Sequence, residues 1–274
     1  MHLQSAASAV SDADIRWPQR HSLFGLQVSA THYHEAVDAI IAAAEKRLPA
    51  IASFVPVHGV VTAARNPAYR DAVNSFQIVA PDGQPVRWAL NHFHAAELQD
   101  RVYGPEIMLR LCAAAADRGL KIYLYGSHAH VLANMQAKLL RLYPNLRIVG
   151  AEAPPFRPLT PDEDQAVAGR INASGAHLLF LGLGLPRQDE FAYRHRTDIQ
   201  AVQLCVGAAF DFHAGTKKMA PAWMQKRGLE WLFRLATEPR RLGKRYLVTN
   251  SLFVYLVARK SIGGALRAKL ARAA

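Results

Sequence analysis

The chain has 274 residues, 51% of them hydrophobic and 20% charged, which is enough to bury a substantial core as one domain with a tail. Its two cysteines, Cys112 and Cys205, each lie in an apolar stretch and exclude a disulfide framework or a zinc ribbon. The net charge of +12 is localised: residues 1–216 carry 19 Lys/Arg against 19 Asp/Glu, and residues 217–274 carry 14 against 2.

In chain order, residues 1–23 contain Asp12, Asp14 and Pro18 and no apolar core segment. They read as a loose leader and not as a secretory signal. From residue 24 to 216, apolar β-branched runs recur at 51–57, 76–80, 121–126, 146–150, 177–183 and 201–207. Between them, helical spacing covers 34–46, 58–74, 84–94, 105–118, 129–143, 161–173 and 187–196. Strands alternating with helices predict an α/β fold: a Rossmann-like, mostly parallel sheet with helices on both faces. Such sheets bind ligands outside the carboxyl ends of their strands.

Four strand ends carry residues suited to chemistry. Asp82, in Pro81-Asp82-Gly83 after the run FQIVA, is placed to take a proton from an attacking hydroxyl; a turn or capping aspartate is the alternative. Gly126 and Ser127, after KIYLY, form a small-residue turn able to admit a nucleotide's phosphate or ribose. Gly182 and Gly184, followed by Pro186, Arg187 and Gln188, set backbone N–H groups and a first-turn amide toward an anion or sugar, or else make a plain strand-to-helix turn. Arg187 stands where a dinucleotide fingerprint has its third glycine. Asp211, in the run 206–221, binds a ribose or caps the following turn. The acidic run Asp162-Glu163-Asp164 imitates a metal-binding D-x-D, but it opens a helix, where carboxylates complement the dipole. His92 and His94, two residues apart on a helix, face different sides and have no companion ligand.

The tail, 217–274, interleaves its basic residues with Trp223, Trp231, Phe233, Tyr246, Phe253 and Tyr255. This predicts a basic amphipathic helical appendage that lies on an anionic membrane surface, in preference to binding nucleic acid. A tail helix packed on the core with a solvated basic face is the alternative. The apolar stretch 246–258 is too short to span a bilayer, which takes about 20 residues.

Together these segments resemble the WecG/TagA/CpsF family of bacterial glycosyltransferases over roughly residues 24 to 245. The resemblance is carried by VVTAARNPAYRDAVNSFQIVAPDGQPVRWA, DRVYGPEIMLRL, GLKIYLYGS, INASGAHLLFLGLGLPRQDEF and VGAAFDFHAGTKKMAPAWMQKRGLEWLFRLATEPRRLGKRYL. It implies an inverting, metal-independent transfer, without cofactor, from a UDP-sugar to an undecaprenyl-diphosphate-linked sugar in cell-surface or exopolysaccharide synthesis. It further implies a cytoplasmic protein, peripheral on the inner face of the membrane, with homo-oligomerisation open. The family's catalytic aspartate falls on Asp82, its active-site arginine on Arg101 and its glutamine on Gln188. Arg227, Arg234, Arg240 and Arg241 of the tail become candidates for diphosphate contacts. The chain departs from the family at Val55-Pro56-Val57, where Thr-Pro-Asn is usual; His58 is a candidate to take over part of that role, and a buried helix-start histidine is the alternative. Glu106 and Met219 replace a usual aspartate and a usual basic residue. The rival readings are a nucleotide-cofactor oxidoreductase and a non-catalytic assembly factor that binds a lipid-linked saccharide.

Overall fold

In a computed structural model, the chain is described over residues 15–155 and 157–273, with 264–273 described by backbone alone. The expected leader lies mostly outside these residues, and its end is structured. Ile15 is buried, and β1 (Arg20–Leu23) pairs antiparallel with β2 (Leu26–Ser29). Phe24 and Gly25, at φ 56° and 92°, make the two-residue turn between them, the left-handed geometry that matches hairpin twist. The hairpin's inward residues Leu23, Leu26 and Val28 are fully buried.

The main sheet has six strands in the order β4-β3-β8-β7-β5-β6, every neighbouring pair parallel: β3 (Ile51–Val55), β4 (Ile78–Pro81), β5 (Lys121–Gly126), β6 (Arg147–Glu152), β7 (Leu178–Gly182) and β8 (Val202–Cys205). Alternate side chains feed two cores. On one face Ala52, Phe54, Leu124, Phe180 and Leu204 pack with α1 (Tyr33–Glu45), α5 (Gly104–Asp117) and α6 (Ala129–Leu142). On the other, Val55, Val79, Tyr125, Leu181 and Cys205 pack with α2 (Val57–Arg65), α3 (Pro67–Asn74), α4 (Gln84–His94), α7 (Pro161–Ala173) and α8 (Arg187–Arg194). This is the Rossmann-like sheet with helices on both faces that the strand–helix alternation predicts.

The single helix expected over 58–74 is two. Pro67 has no N–H to continue α2, and Asn66 instead caps α3, its Oδ1 accepting the Tyr69 N–H at 3.1 Å. The acidic run opens α7 through a capping box: Thr160 and Glu163 satisfy each other's backbone N–H groups, and Arg157 pairs with Glu163. Asp164 is held by Arg194 and His195. Both cysteines are free and buried.

After β8 come α9 (Ala209–Ala214), α10 (Ala222–Lys226), α11 (Glu230–Thr237) and α12 (Pro239–Ala273). α12 packs on α2 and α11. Phe253 is buried edge-on to Phe24, with ring centroids 5.8 Å apart, and Lys260 sits over the Phe93 ring at 4.5 Å. Among the described residues, no helix is long and apolar enough to cross a membrane.

Candidate active site

The loops that leave the carboxyl ends of β3, β4, β7 and β8 surround a cavity of about 680 Å³, and α11 and α12 form its far wall. Asp82, Arg101, Gln188, His58, Ser127, Gly182, Gly184, Asp211, Arg234 and Arg241 all line it. Gly126, Arg227 and Arg240 do not.

Asp82 is the first residue after β4. Its N–H donates to the Val55 carbonyl at 3.2 Å, and Pro81 accepts from the Val102 N–H at 2.9 Å, so hydrogen bonds on both sides fix the strand end. Desolvation raises the Asp82 pKa to about 7. Arg101, Arg234 and the N–H of Gly104 oppose that rise, and Glu230 adds to it. A carboxyl group with that proton affinity is suited to accepting a proton near neutral pH.

Arg101 reaches the cavity from the loop before α5 and is buried. Its guanidinium lies over the Tyr103 ring, 4.1 Å from the centroid, and donates to Glu230 Oε2 at 2.6 Å. Glu230 is the first residue of α11, and its Oε1 accepts from the Tyr103 hydroxyl at 3.1 Å. The tail therefore contributes a buried carboxylate to the loops at the carboxyl ends of the sheet, a link that residue spacing did not disclose. On sequence alone, a glutamate opening a helix in a basic tail reads as a dipole complement.

On the opposite side, the turn after β7 is shaped by three small residues. A Cβ on Gly126, at φ 134°, would lie 2.5 Å from the Gly182 carbonyl carbon, and one on Gly182 would lie 2.4 Å from the Phe210 ring. Their smallness is therefore required by packing between β5, β7 and α9, whereas a Cβ on Gly184, at φ 76°, would meet nothing. Gln188 is buried, and its Oε1 accepts the Gly184 N–H at 3.1 Å, which ties α8 to the turn. The next residue, Asp189, is also buried and accepts from Tyr69 at 2.5 Å and Ser53 at 2.8 Å, anchoring the same helix to α3 and β3. The Leu185–Pro186 bond is cis.

The tail supplies the cations. Arg234 stacks over the Phe212 ring at 5.2 Å. Arg241 pairs with Glu238, and Arg245, one helical turn further on, also lines the cavity. Arg240 is exposed, and Arg227 lies 5.8 Å from the Trp223 centroid. The helical period explains the sorting: 241 and 245 share a face, and 240 is turned away. Asp211 accepts from Lys217 Nζ at 3.1 Å. His58, in the first turn of α2, has a buried Nδ1 with no hydrogen-bond partner, and burial followed by the Arg245 charge lowers its pKa. The Val57 side of the same turn offers no hydroxyl or amide. A second cavity of about 340 Å³ shares Gln84, Arg101, Tyr103 and Pro105 with the first.

The model of the glycosyl transferase WecG/TagA/CpsF family matches residues 21–267. The chain belongs to this family, and glycosyl transfer is its general activity. The match extends past α11 and through most of α12, so the tail is part of the family's fold.

Proposed function

We propose that the chain transfers a sugar from a UDP-sugar to an undecaprenyl-diphosphate-linked sugar, with inversion and without a metal ion, for cell-surface or exopolysaccharide synthesis. The observation that carries this reading is Asp82: a carboxyl group of raised proton affinity at a strand's carboxyl end, in a cavity walled on the far side by Arg234, Arg241 and Arg245.

In this mechanism the acceptor hydroxyl attacks the anomeric carbon while Asp82 takes its proton. The bond from that carbon to the UDP oxygen breaks, and UDP leaves from the opposite face. Charge growing on the diphosphate is met by guanidinium groups, which can bind phosphate bidentately. Gln188 holds the Gly182–Gly184 turn through its bond to Gly184. Arg101 lines the cavity beside Asp82, and Ser127 and Asp211 line the rim toward which a nucleotide would extend.

The same reading places the protein on the inner face of the cytoplasmic membrane as a peripheral protein. It is supported by an exposed stripe on α12: Leu247, Tyr255 and Ile262 are all at least half exposed and fall within one side of the helix, next to Val254 at the cavity's edge. Exposed Trp223, Trp231 and Leu232 extend the apolar surface. A helix with that stripe and flanking cations suits an anionic interface.

The test is a screen of UDP-sugars against a short-chain lipid-diphosphate-sugar acceptor, read by mass spectrometry, with Asp82→Asn alongside. Transfer by the wild type and its loss in D82N, with UDP binding kept, is the expected result. Transfer by D82N at the wild-type rate would remove Asp82 from the chemistry. UDP binding without transfer to any acceptor would favour a non-catalytic assembly factor.

A further inference from the structure

We propose that Glu230 is a positioning residue for the transfer: carried in on α11, its carboxylate clamps Arg101 and Tyr103 and shields Asp82 from the Arg101 charge. This rests on Asp82 being the base.

The geometry has Glu230 at the centre of a closed set. Oε2 accepts from Arg101 at 2.6 Å and Oε1 from the Tyr103 hydroxyl at 3.1 Å, so each carboxylate oxygen is held by a different partner. Arg101 and Tyr103 are further coupled by the guanidinium stacked on the ring. The Tyr103 N–H in turn donates to the Tyr33 hydroxyl at 2.9 Å. The groups that face Asp82 are therefore Arg101 and Tyr103 from the loop before α5, Tyr33 from α1, and Glu230 and Arg234 from α11.

Two of these groups are cations, and both favour the ionised form of Asp82, which would make it a weaker base. Glu230 opposes them, by its own charge and by neutralising Arg101 at 2.6 Å. It comes from the appendage, while Asp82, Arg101 and Tyr103 come from the sheet domain. Docking of α11 thus completes the wall of the cavity and adjusts the base in one step. An ordinary structural ion pair would hold the tail without altering the base, and that difference is measurable.

The experiment titrates Asp82 in the full-length protein by NMR of ¹³C-labelled aspartate carboxyl groups, assigned with D82N, in wild type, Glu230→Gln, Arg101→Gln and the double variant. Acidic limbs of the kcat/KM profile are measured in parallel for the active forms. Wild type should titrate near pH 7. E230Q should move the titration and the limb down by about one pH unit or more. The double variant should recover part of that shift, because the charge being shielded is gone. If E230Q alone does not fold, the double variant against R101Q reads the direct effect of the Glu230 charge without the shielding of Arg101, and Asp82 should titrate lower in the double. Equal titrations with and without Glu230 would overturn the proposal even if activity fell. An inactive D82N with an unmoved limb in E230Q overturns this proposal alone, and an active D82N overturns the base assignment beneath it.

Discussion

Asp82 carries opposing demands. A carboxyl held with a proton affinity near pH 7 is a competent base, but its ionised form is poorly solvated in the fold. Its folded pKa lies above its ordinary value of 3.8, so the folded state binds the proton more tightly than the unfolded state does. Stability from this group is complete below about pH 4 and is lost as pH rises toward 7. Asp82→Asn should therefore melt at a higher temperature than wild type at pH 8, with the gap closing as pH falls to 4, as scanning calorimetry would read. The same variant should lose transfer by about 10²- to 10⁴-fold. In the wild type, kcat/KM should climb with pH through about 7 and then level off. The position of Asp82 was legible because a carboxylate after an apolar run and before a helix marks a strand end. Its proton affinity was not, since that depends first on desolvation in the folded cavity and then on the charges of Arg101, Glu230 and Arg234, the last two about 150 residues further along the chain.

At the scale of elements, periodicity located six strands of the sheet and most of its helices, because buried parallel strands are continuous apolar runs. It missed the β1–β2 hairpin: four-residue strands with Arg20, His21 and Gln27 among them are too short and too polar to show alternation. It merged α2 and α3 across Pro67, where the apolar spacing continues although the backbone bonding cannot. The glycine turns were located correctly but for incomplete reasons. Gly126 and Gly182 are partners across β5 and β7, and each excludes a side chain because the protein itself fills the space. Gly126→Ala should cost about 1–3 kcal/mol in denaturant unfolding, from overpacking in a backbone region that side chains disfavour. It should also weaken UDP binding, since the Ser127 N–H donates to the Gly182 carbonyl and shifting one turn shifts the other. Gly184→Ala has open space and only the positive φ to oppose it, so its stability loss should be the smaller of the two.

At the scale of the molecule, charge segregation was the clearest signal in the sequence, and the structure divides that charge by direction. Arg234 of α11 and Arg241 and Arg245 of α12 line the cavity, Arg241 at its solvent-open edge, whereas Arg240, Lys244 and Arg259 are exposed outside the lining. Helix α12 buries Leu242, Thr249 and Phe253 against the fold and presents Leu247, Tyr255 and Ile262 outward, with Val254 exposed at the cavity's edge. A helix apolar on two sides has only one of them covered by this chain, and the sequence pattern could not say which. If the outer stripe meets lipid, each large side chain withdrawn from water contributes about 1.5–3 kcal/mol when fully buried, and less at an interface. Leu247→Ser, Tyr255→Ser and Ile262→Ser together should then lower binding to vesicles containing anionic phospholipid by on the order of 10²-fold, measured by co-sedimentation. These three residues lie outside the cavity lining, so UDP binding in detergent-free buffer should be unchanged. Added salt should weaken binding of both proteins, because the exposed cations remain in each. Vesicle binding equal to wild type would assign the stripe to a protein partner or to a second copy of the chain. A loss confined to neutral vesicles would leave the exposed arginines and lysines as the whole of the attachment.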